Sequence, residues 1–231
     1  MFKNKMNDTI YKTLKNEIML LDLQPGTAIS ETELAERFGV SRTPIRQVLL
    51  KLSEEGLVDV IPQKGTFISL IDMKYIDDIT YMRIELESAL IKKVMDNITQ
   101  TQLNSLLLNL SKQKIVIDYA DNIKNAIIEF NSLDNEFHRM IFEIADRLTI
   151  WNIYTKLSPH YMRFRLLDIF DKNVMNQLYN EHKDLIQLII NKEEQGIKPL
   201  LEKHLKGGFS RINQLQYKYK DYFKNIYKGE F

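Results

Sequence analysis

The sequence predicts a mainly α-helical protein of two domains, and three observations support this. The 231 residues are 44% hydrophobic and 27% charged, which is ordinary for a chain that folds around packed cores. Up to about residue 70 the apolar segments are short and are separated by proline and glycine. From Tyr75 onward the apolar residues recur with helical periodicity almost without interruption. The change places a boundary at Leu70–Lys74, so we expect domains at residues 1–70 and 75–231.

Composition narrows the classes of protein that the chain can belong to. Cysteine is absent, which excludes a disulfide framework and zinc ribbons. Met1–Lys5 lacks the apolar run of a signal peptide, and no apolar stretch approaches the roughly 20 residues of a membrane span. We therefore expect a cytoplasmic protein with no membrane contact.

The net charge of +1 is not typical of a nucleic-acid-binding protein, but the distribution of charge is more informative than the sum. Between Glu36 and Glu54 the only charged residues are basic, namely Arg37, Arg42, Arg46 and Lys51. A local cationic stripe of this kind can follow DNA phosphates on an otherwise neutral domain.

Three helices are predicted in the first domain. Residues 8–22 carry apolar residues on one helical face, and Pro25-Gly26 ends that helix. Ser30-Glu31-Thr32-Glu33 has the pattern of a capping box that begins a second helix, which Gly39 ends. Ser41 can cap a third helix, with Pro44 in its first turn.

The third helix has two different faces. Its buried stripe is predicted to consist of Ile45, Val48, Leu49 and Leu52. Its outer face is predicted to carry Arg42, Thr43, Arg46 and Gln47. A short helix, a glycine-containing turn and a helix of this kind form a helix-turn-helix, in which arginine can bind guanine O6 and N7 together. The alternative is an amphipathic helix whose polar face is simply solvated.

A β-hairpin follows the third helix and favours the DNA-binding interpretation. Val58–Ile61 and Phe67–Leu70 flank a turn that has Lys64 and Gly65 at its tip. Glycine allows the backbone to approach a phosphate or the floor of a groove, as the wing of a winged helix-turn-helix does. The first domain is therefore predicted to be a winged helix-turn-helix that binds double-stranded DNA.

The second domain is predicted to be an all-α bundle of six or seven helices, at about residues 75–95, 100–119, 122–146, 149–169, 172–192 and 195–225. Asp134 and His138 are four residues apart on one of these helices, so both can bind one ion from the same face. His182 and His204 lie beside apolar stripes on later helices, where bundles build metal sites. Taken singly, the pair fits a surface ion pair and each histidine fits a hydrogen-bonded core residue. Together they are candidate metal ligands.

The first domain resembles the DNA-binding domain of GntR-family bacterial transcription regulators. The run Leu-Ala-Glu-Arg-Phe-Gly-Val-Ser-Arg-Thr-Pro-Ile-Arg, at residues 34–46, resembles the signature of that family. Gly56-Leu57-Val58 and Lys64-Gly65-Thr66-Phe67 match the rest of its winged domain. The resemblance implies that Arg42, Thr43 and Arg46 contact bases or nearby phosphates. It also implies that Lys64 and Gly65 enter the minor groove.

Residues 75–220 resemble the FCD ligand-sensing domain of the FadR branch of that family. Its metal-binding members have Asp-x3-His on one helix and single histidines on two later helices. Asp134, His138, His182 and His204 match this pattern in order and separation, whereas His160 falls outside it. The resemblance implies one divalent ion per chain. Zinc, nickel and manganese are the expected occupants because all ligands are nitrogen or oxygen.

The resemblance also implies a small organic acid as effector. Arg83 lies on the first sensing helix, where an arginine of the family pairs with an effector carboxylate; an intrahelical pair of Arg83 with Glu87 is the alternative. Arg163 and Arg165 are further candidates for the same pocket. The expected function is that of a homodimeric transcription regulator on a pseudo-palindromic operator. Two alternatives remain: a metal-dependent hydrolytic enzyme with an appended DNA-binding domain, and a regulator whose metal is purely structural.

Overall fold

The computed structural model describes residues 2–226 and is mainly α-helical, as predicted. The chain divides into two compact units. Of the described residues, the first unit contains residues 2–76, Lys156–Phe164 and residues 214–226. The second unit contains Asp77–Thr155 and Arg165–Asn213. Three segments of the predicted second domain thus group with the first unit, namely residues 75–76, Lys156–Phe164 and residues 214–226. The last five residues of that domain, 227–231, lie outside the described residues.

Three helices and a small antiparallel sheet begin the first unit. The helices are α1 (Phe2–Met19), α2 (Glu31–Phe38) and α3 (Arg42–Glu54). The strands are β1 (Ala28–Ile29), β2 (Val58–Ile61) and β3 (Gly65–Ile68), in the order β1-β3-β2. The hairpin of β2 and β3 confirms the predicted wing and places Ile61 opposite Gly65. Strand β1 was not predicted, because two residues are too few to show an alternating pattern.

Local signals explain where α2 and α3 begin and end. The Ser30 hydroxyl accepts a hydrogen bond from the Glu33 amide at 3.3 Å, which is one of the two bonds of the predicted capping box. Gly39 ends α2 with φ of 64°, a left-handed conformation that favours glycine. Ser41 lies at the N-cap of α3, but its hydroxyl makes no capping hydrogen bond, so that predicted contact is wrong.

The remaining helices are α4 (Met73–Asn97), α5 (Gln100–Tyr119), α6 (Ile123–Ile144), α7 (Leu148–Lys156), α8 (Pro159–Asp168), α9 (Lys172–Asn191), α10 (Glu194–Ser210) and α11 (Ile212–Lys218). Strand β4 (Ile71–Asp72) pairs in parallel with β5 (Phe223–Lys224), after a short 3₁₀ helix at Lys220–Tyr222. The predicted helix 149–169 is interrupted before Pro159, because proline lacks an amide hydrogen and disfavours helical geometry at Ser158. The predicted helix 195–225 is also divided, shortly after the poor helix formers Gly207 and Gly208.

The helices of the second unit bury an apolar core around a polar centre. Helix α5 packs against α6 and α9, and α9 packs against α10. The largest cluster of this core includes Ile91, Leu106, Phe137, Ile141, Leu185, Ile189 and Leu201. Burying a side chain of this size contributes about 1.5–3 kcal/mol. Within residues 2–226, no helix combines the length and the apolar character needed to span a bilayer.

Candidate metal centre and nucleic-acid interface

Four buried side chains converge in the second unit. Asp134 and His138 extend from α6, His182 from α9 and His204 from α10, and their candidate ligand atoms all lie within 4.8 Å of one another. The Nε2 atom of His138 is 3.1 Å from that of His204 and 3.4 Å from that of His182. The Oδ1 atom of Asp134 is 3.4 Å from His182 Nε2 and 3.8 Å from His204 Nε2. The structure therefore brings together all four residues that the sequence pattern selected.

Each imidazole is fixed at its other nitrogen by a side chain that accepts a hydrogen bond. The Nδ1–oxygen pairs are His138 with Glu87 (2.6 Å), His182 with Gln113 (2.8 Å) and His204 with Glu181 (3.0 Å). Because carboxylate and amide oxygens accept, each Nδ1 carries the hydrogen and each Nε2 presents a lone pair. Partners of this kind orient metal-ligating histidines and fix their tautomer.

The donor set fits a divalent ion. Three Nε2 lone pairs and an ionised carboxylate face one another in a buried space, and they repel unless a cation lies between them. Every donor is nitrogen or oxygen, which suits zinc, nickel and manganese. The cluster can therefore hold a metal ion through Asp134, His138, His182 and His204.

Burial and neighbouring charges set the protonation of these ligands. Burial and the nearby charge of Arg83 together lower the pKa of His138 to about 4, against the opposing charge of Glu87. Burial likewise holds the pKa of His182 well below its ordinary value. Burial alone would raise the pKa of Asp134, but Arg165 and the three imidazoles outweigh it, and the pKa lies well below its usual range. At neutral pH, His138 and His182 are therefore neutral and Asp134 is ionised.

Acidification is expected to destabilise the metal-free protein. Unfolded His138 takes up a proton near pH 6.5, whereas the folded residue does so only near pH 4. Between these values the unfolded state binds more protons, so stability falls as the pH falls. His138 alone accounts for roughly 3 kcal/mol at the lower limit. Urea unfolding of chelator-treated protein measures this, and a free energy of unfolding that is constant from about pH 7 to 5 would contradict it.

The three candidate arginines have different surroundings. Arg83 pairs with Glu87 at 2.5 Å, so it supports the carboxylate that orients His138. Arg165 donates Nη2 to Asp134 Oδ1 at 3.0 Å. Arg163 belongs to the first unit, where it donates to the carbonyl oxygen of Ser69 at 2.8 Å and to its hydroxyl at 2.9 Å. Residues two apart on a helix point about 200° apart, which explains why Arg163 and Arg165 have different partners.

Ion pairs extend from the cluster beyond Asp134. Arg165 Nη1 donates to Asp168 at 3.3 Å, and Arg211 donates to both oxygens of Asp168 at 2.7 and 2.9 Å.

Three residues around the cluster were not predicted from the sequence, namely Gln113, Asp168 and Arg211. For Gln113 a signal was available, because it is a polar residue between buried Leu110 and Val116 on α5.

The outer face of α3 is arranged as predicted. Arg42, Thr43, Arg46 and Gln47 are exposed, whereas Ile45, Val48, Leu49 and Leu52 are buried. Arg46 donates Nε and Nη2 to the carboxylate of Glu31, at 3.1 and 2.8 Å. Surface ion pairs of this kind contribute little, so the guanidinium can exchange Glu31 for another acceptor.

The tip of the wing is also exposed. Lys64 donates its amide to the carbonyl oxygen of Ile61 at 3.1 Å, which closes the turn. Gly65 follows with φ of 120°, where a side chain would be strained. The turn therefore presents a lysine beside a backbone that can approach DNA closely.

These features define a class of protein: a DNA-binding regulator with a winged helix-turn-helix and a second, helical domain. Residues 6–68 match the family described as "Bacterial regulatory proteins, gntR family", and residues 78–207 match the "FCD domain". The chain belongs to the FCD-containing branch of the GntR family, which confirms the resemblance found in the sequence.

Named relatives agree with this assignment. The chain is 28% identical over 218 residues to the HTH-type transcriptional repressor RspR of Escherichia coli K12, covering 94% of this chain and 93% of the relative. It is 26% identical to the uncharacterized HTH-type transcriptional regulator YdhC of Bacillus subtilis, covering 81% and 82%. E. coli McbR/YncC has the same fold, with a TM-score of 0.69, 20% identity and coverage of 92% and 98%. The protein is thus a transcription regulator and not a hydrolytic enzyme.

Proposed function

We propose that the protein is a homodimeric regulator whose DNA binding responds to a small organic acid held at a divalent ion. The observation that carries this proposal is the convergence of three Nε2 lone pairs and one carboxylate in the helical unit of a DNA-binding chain. RspR is named a repressor, so repression is the sign of regulation that we propose. We place the protein in the cytoplasm because a bacterial regulator binds its DNA there.

The ion would be held by Asp134, His138, His182 and His204, and it would supply a positive centre for a carboxylate oxygen. Five- or six-coordinate ions keep one or two positions beyond four protein ligands. Arg83 contacts Glu87, which orients His138, and Arg165 contacts Asp134, so these two arginines are the candidate guanidinium groups for effector binding.

Two copies are needed for useful specificity, because one winged domain reads few base pairs. A two-fold dimer places two α3 helices in successive major grooves, so its operator is a pseudo-palindrome. We propose that Arg42, Thr43, Arg46 and Gln47 contact the major groove and that Lys64 and Gly65 enter the minor groove.

Lys64→Ala is expected to weaken binding to specific and non-specific DNA alike. A lysine on a phosphate releases counterions, so its loss should reduce the slope of log affinity against log salt by about one. Fluorescence anisotropy across a salt series measures the slope. Lys114→Ala, on α5 of the second unit, is the matched control and should leave it unchanged. An unaltered slope in Lys64→Ala would show that the tip of the wing does not contact DNA phosphates.

A direct test begins with a map of the sites that the protein binds in its own genome. Affinity for a recovered operator is then measured with ion and organic acids added singly and together. The proposal requires that the effect of an acid depend on the ion, because binding at coupled sites is reciprocal. An operator affinity that is the same in all conditions would leave DNA binding intact and would reduce the ion to a structural role.

A further inference from the structure

We propose that the effector carries a single negative charge and that Arg165 is the guanidinium that receives its carboxylate. This inference rests on the proposed function and deepens it, because it names the charge class of the ligand. It comes from the balance of charged groups around the cluster in the second unit.

Three guanidinium groups face four carboxylates there. Arg83 pairs with Glu87. Arg165 lies between Asp134 and Asp168, and Arg211 also binds Asp168. The fourth carboxylate is Glu181, which accepts hydrogen bonds from His204 and Gln177. These groups therefore have a net charge of about minus one, and a divalent ion bound by neutral imidazoles changes it to plus one.

Because the site is buried, its net charge determines how many carboxylates a bound effector can carry. The four ligand residues are at most 3% exposed, as is Glu181, so an effector bound among them leaves water. Lys203 lies 3.5 Å from Glu181, but its side chain is 62% exposed and its charge is screened. The net charge of plus one at the metal-loaded site thus compensates one carboxylate of the effector. A second carboxylate on the same ligand would be a buried charge without a partner, which is strongly unfavourable.

Arg165 is the guanidinium that can turn towards the effector at least cost. Its Nη2 atom lies 3.0 Å from Asp134 Oδ1, the oxygen that faces the imidazoles. When Arg165 turns away, Asp134 keeps the ion and Asp168 keeps both hydrogen bonds from Arg211. Arg83 has no such freedom, because it supports the carboxylate of Glu87 that orients His138.

The first experiment compares matched acids on full-length, metal-loaded protein by titration calorimetry. Lactate and tartronate are one such pair, because tartronate has a second carboxylate where lactate has a methyl group, and lactamide is the neutral control. Similar pairs extend the series to six carbons. We expect the best monocarboxylate to bind at least about tenfold more tightly than its dicarboxylate partner. A dicarboxylate that binds equally or more tightly overturns the inference but leaves the proposed function. Binding of no acid at all overturns both.

The second experiment changes the charge of the site. Glu181→Gln keeps a hydrogen-bond acceptor for His204, a role that Gln113 already has for His182, and removes one negative charge. We expect the ratio of monocarboxylate to dicarboxylate affinity to shift at least about tenfold towards dicarboxylates. Arg165→Met should bind its ion at saturating metal, confirmed by metal content, and should lose at least about tenfold in monocarboxylate affinity.

Arg139→Met is the matched control for charge. Arg139 follows His138 on α6, but it pairs at the surface with Glu136 and Glu143. Its removal should therefore change neither the monocarboxylate affinity nor the ratio of monocarboxylate to dicarboxylate affinity. An unchanged affinity ratio in Glu181→Gln overturns the charge assignment. Wild-type monocarboxylate affinity in Arg165→Met overturns the role of Arg165.

Discussion

Replacing His138 by alanine is expected to abolish stoichiometric binding of a divalent ion. The change removes one of three converging Nε2 donors and leaves the buried carboxylate of Glu87 without its imidazole. Metal content after dialysis, measured by mass spectrometry, distinguishes the variant from the wild type. His160→Ala is the matched control, because His160 is a buried histidine of the first unit that contacts the amide of Asp72. It should retain the ion.

The same site makes a prediction for stability. An ion that binds only the folded state stabilises it by about 4 kcal/mol when its free concentration is a thousand times its dissociation constant. Adding a chelator should therefore lower the free energy of unfolding of the wild type and leave that of His138→Ala unaltered. Equal metal content in the two proteins would contradict the assignment of the ligands.

Removing both Arg42 and Arg46 is expected to abolish specific operator binding at moderate salt. Each arginine projects from the exposed face of α3, and loss of one bidentate base contact costs roughly tenfold to a hundredfold in affinity. Arg46→Ala alone should also relax discrimination at one base pair per half-site. Anisotropy titrations against operator and mismatched duplexes measure both effects.

Arg37→Ala is the control for charge alone. Arg37 is an exposed arginine of α2 that pairs with Glu17, so it belongs to the cationic stripe without lying on α3. Its replacement should weaken specific and non-specific binding to a similar, small extent. A double variant of Arg42 and Arg46 that binds the operator as tightly as the wild type would show that α3 is not the recognition helix.

The sequence was most informative where structure is local. The helix-turn-helix follows from a glycine turn and from apolar residues three and four apart, both set within one or two helical turns. The geometry of Asp134 and His138 follows in the same way from a spacing of four. The sequence indicates His182 and His204 less strongly, because apolar neighbours predict that a histidine is buried but not which side chains it meets.

The remaining features depend on how distant helices meet. Glu87 and Gln113 hold imidazoles from other helices, and no spacing within one helix predicts such contacts. The sequence favours Arg163 over Arg165 for the effector pocket, but Arg165 contacts the cluster and Arg163 contacts Ser69, because the rotation of α8 decides which side chain faces it. Strands β4 and β5 are two residues each, and their pairing joins distant parts of the chain, so no local pattern indicates them.

The way the cluster is assembled also affects how the chain folds. The ligands and the side chains that orient them are spread from Glu87 on α4 to His204 on α10, more than half of the sequence. Contacts of such long range form late, because the intervening loops must close first. In zinc fingers, by contrast, the ligands are close in sequence and the ion drives folding from the start. Here a chain emerging from the ribosome has no complete cluster until α10 has been synthesised, so an ion held there would be captured late in folding.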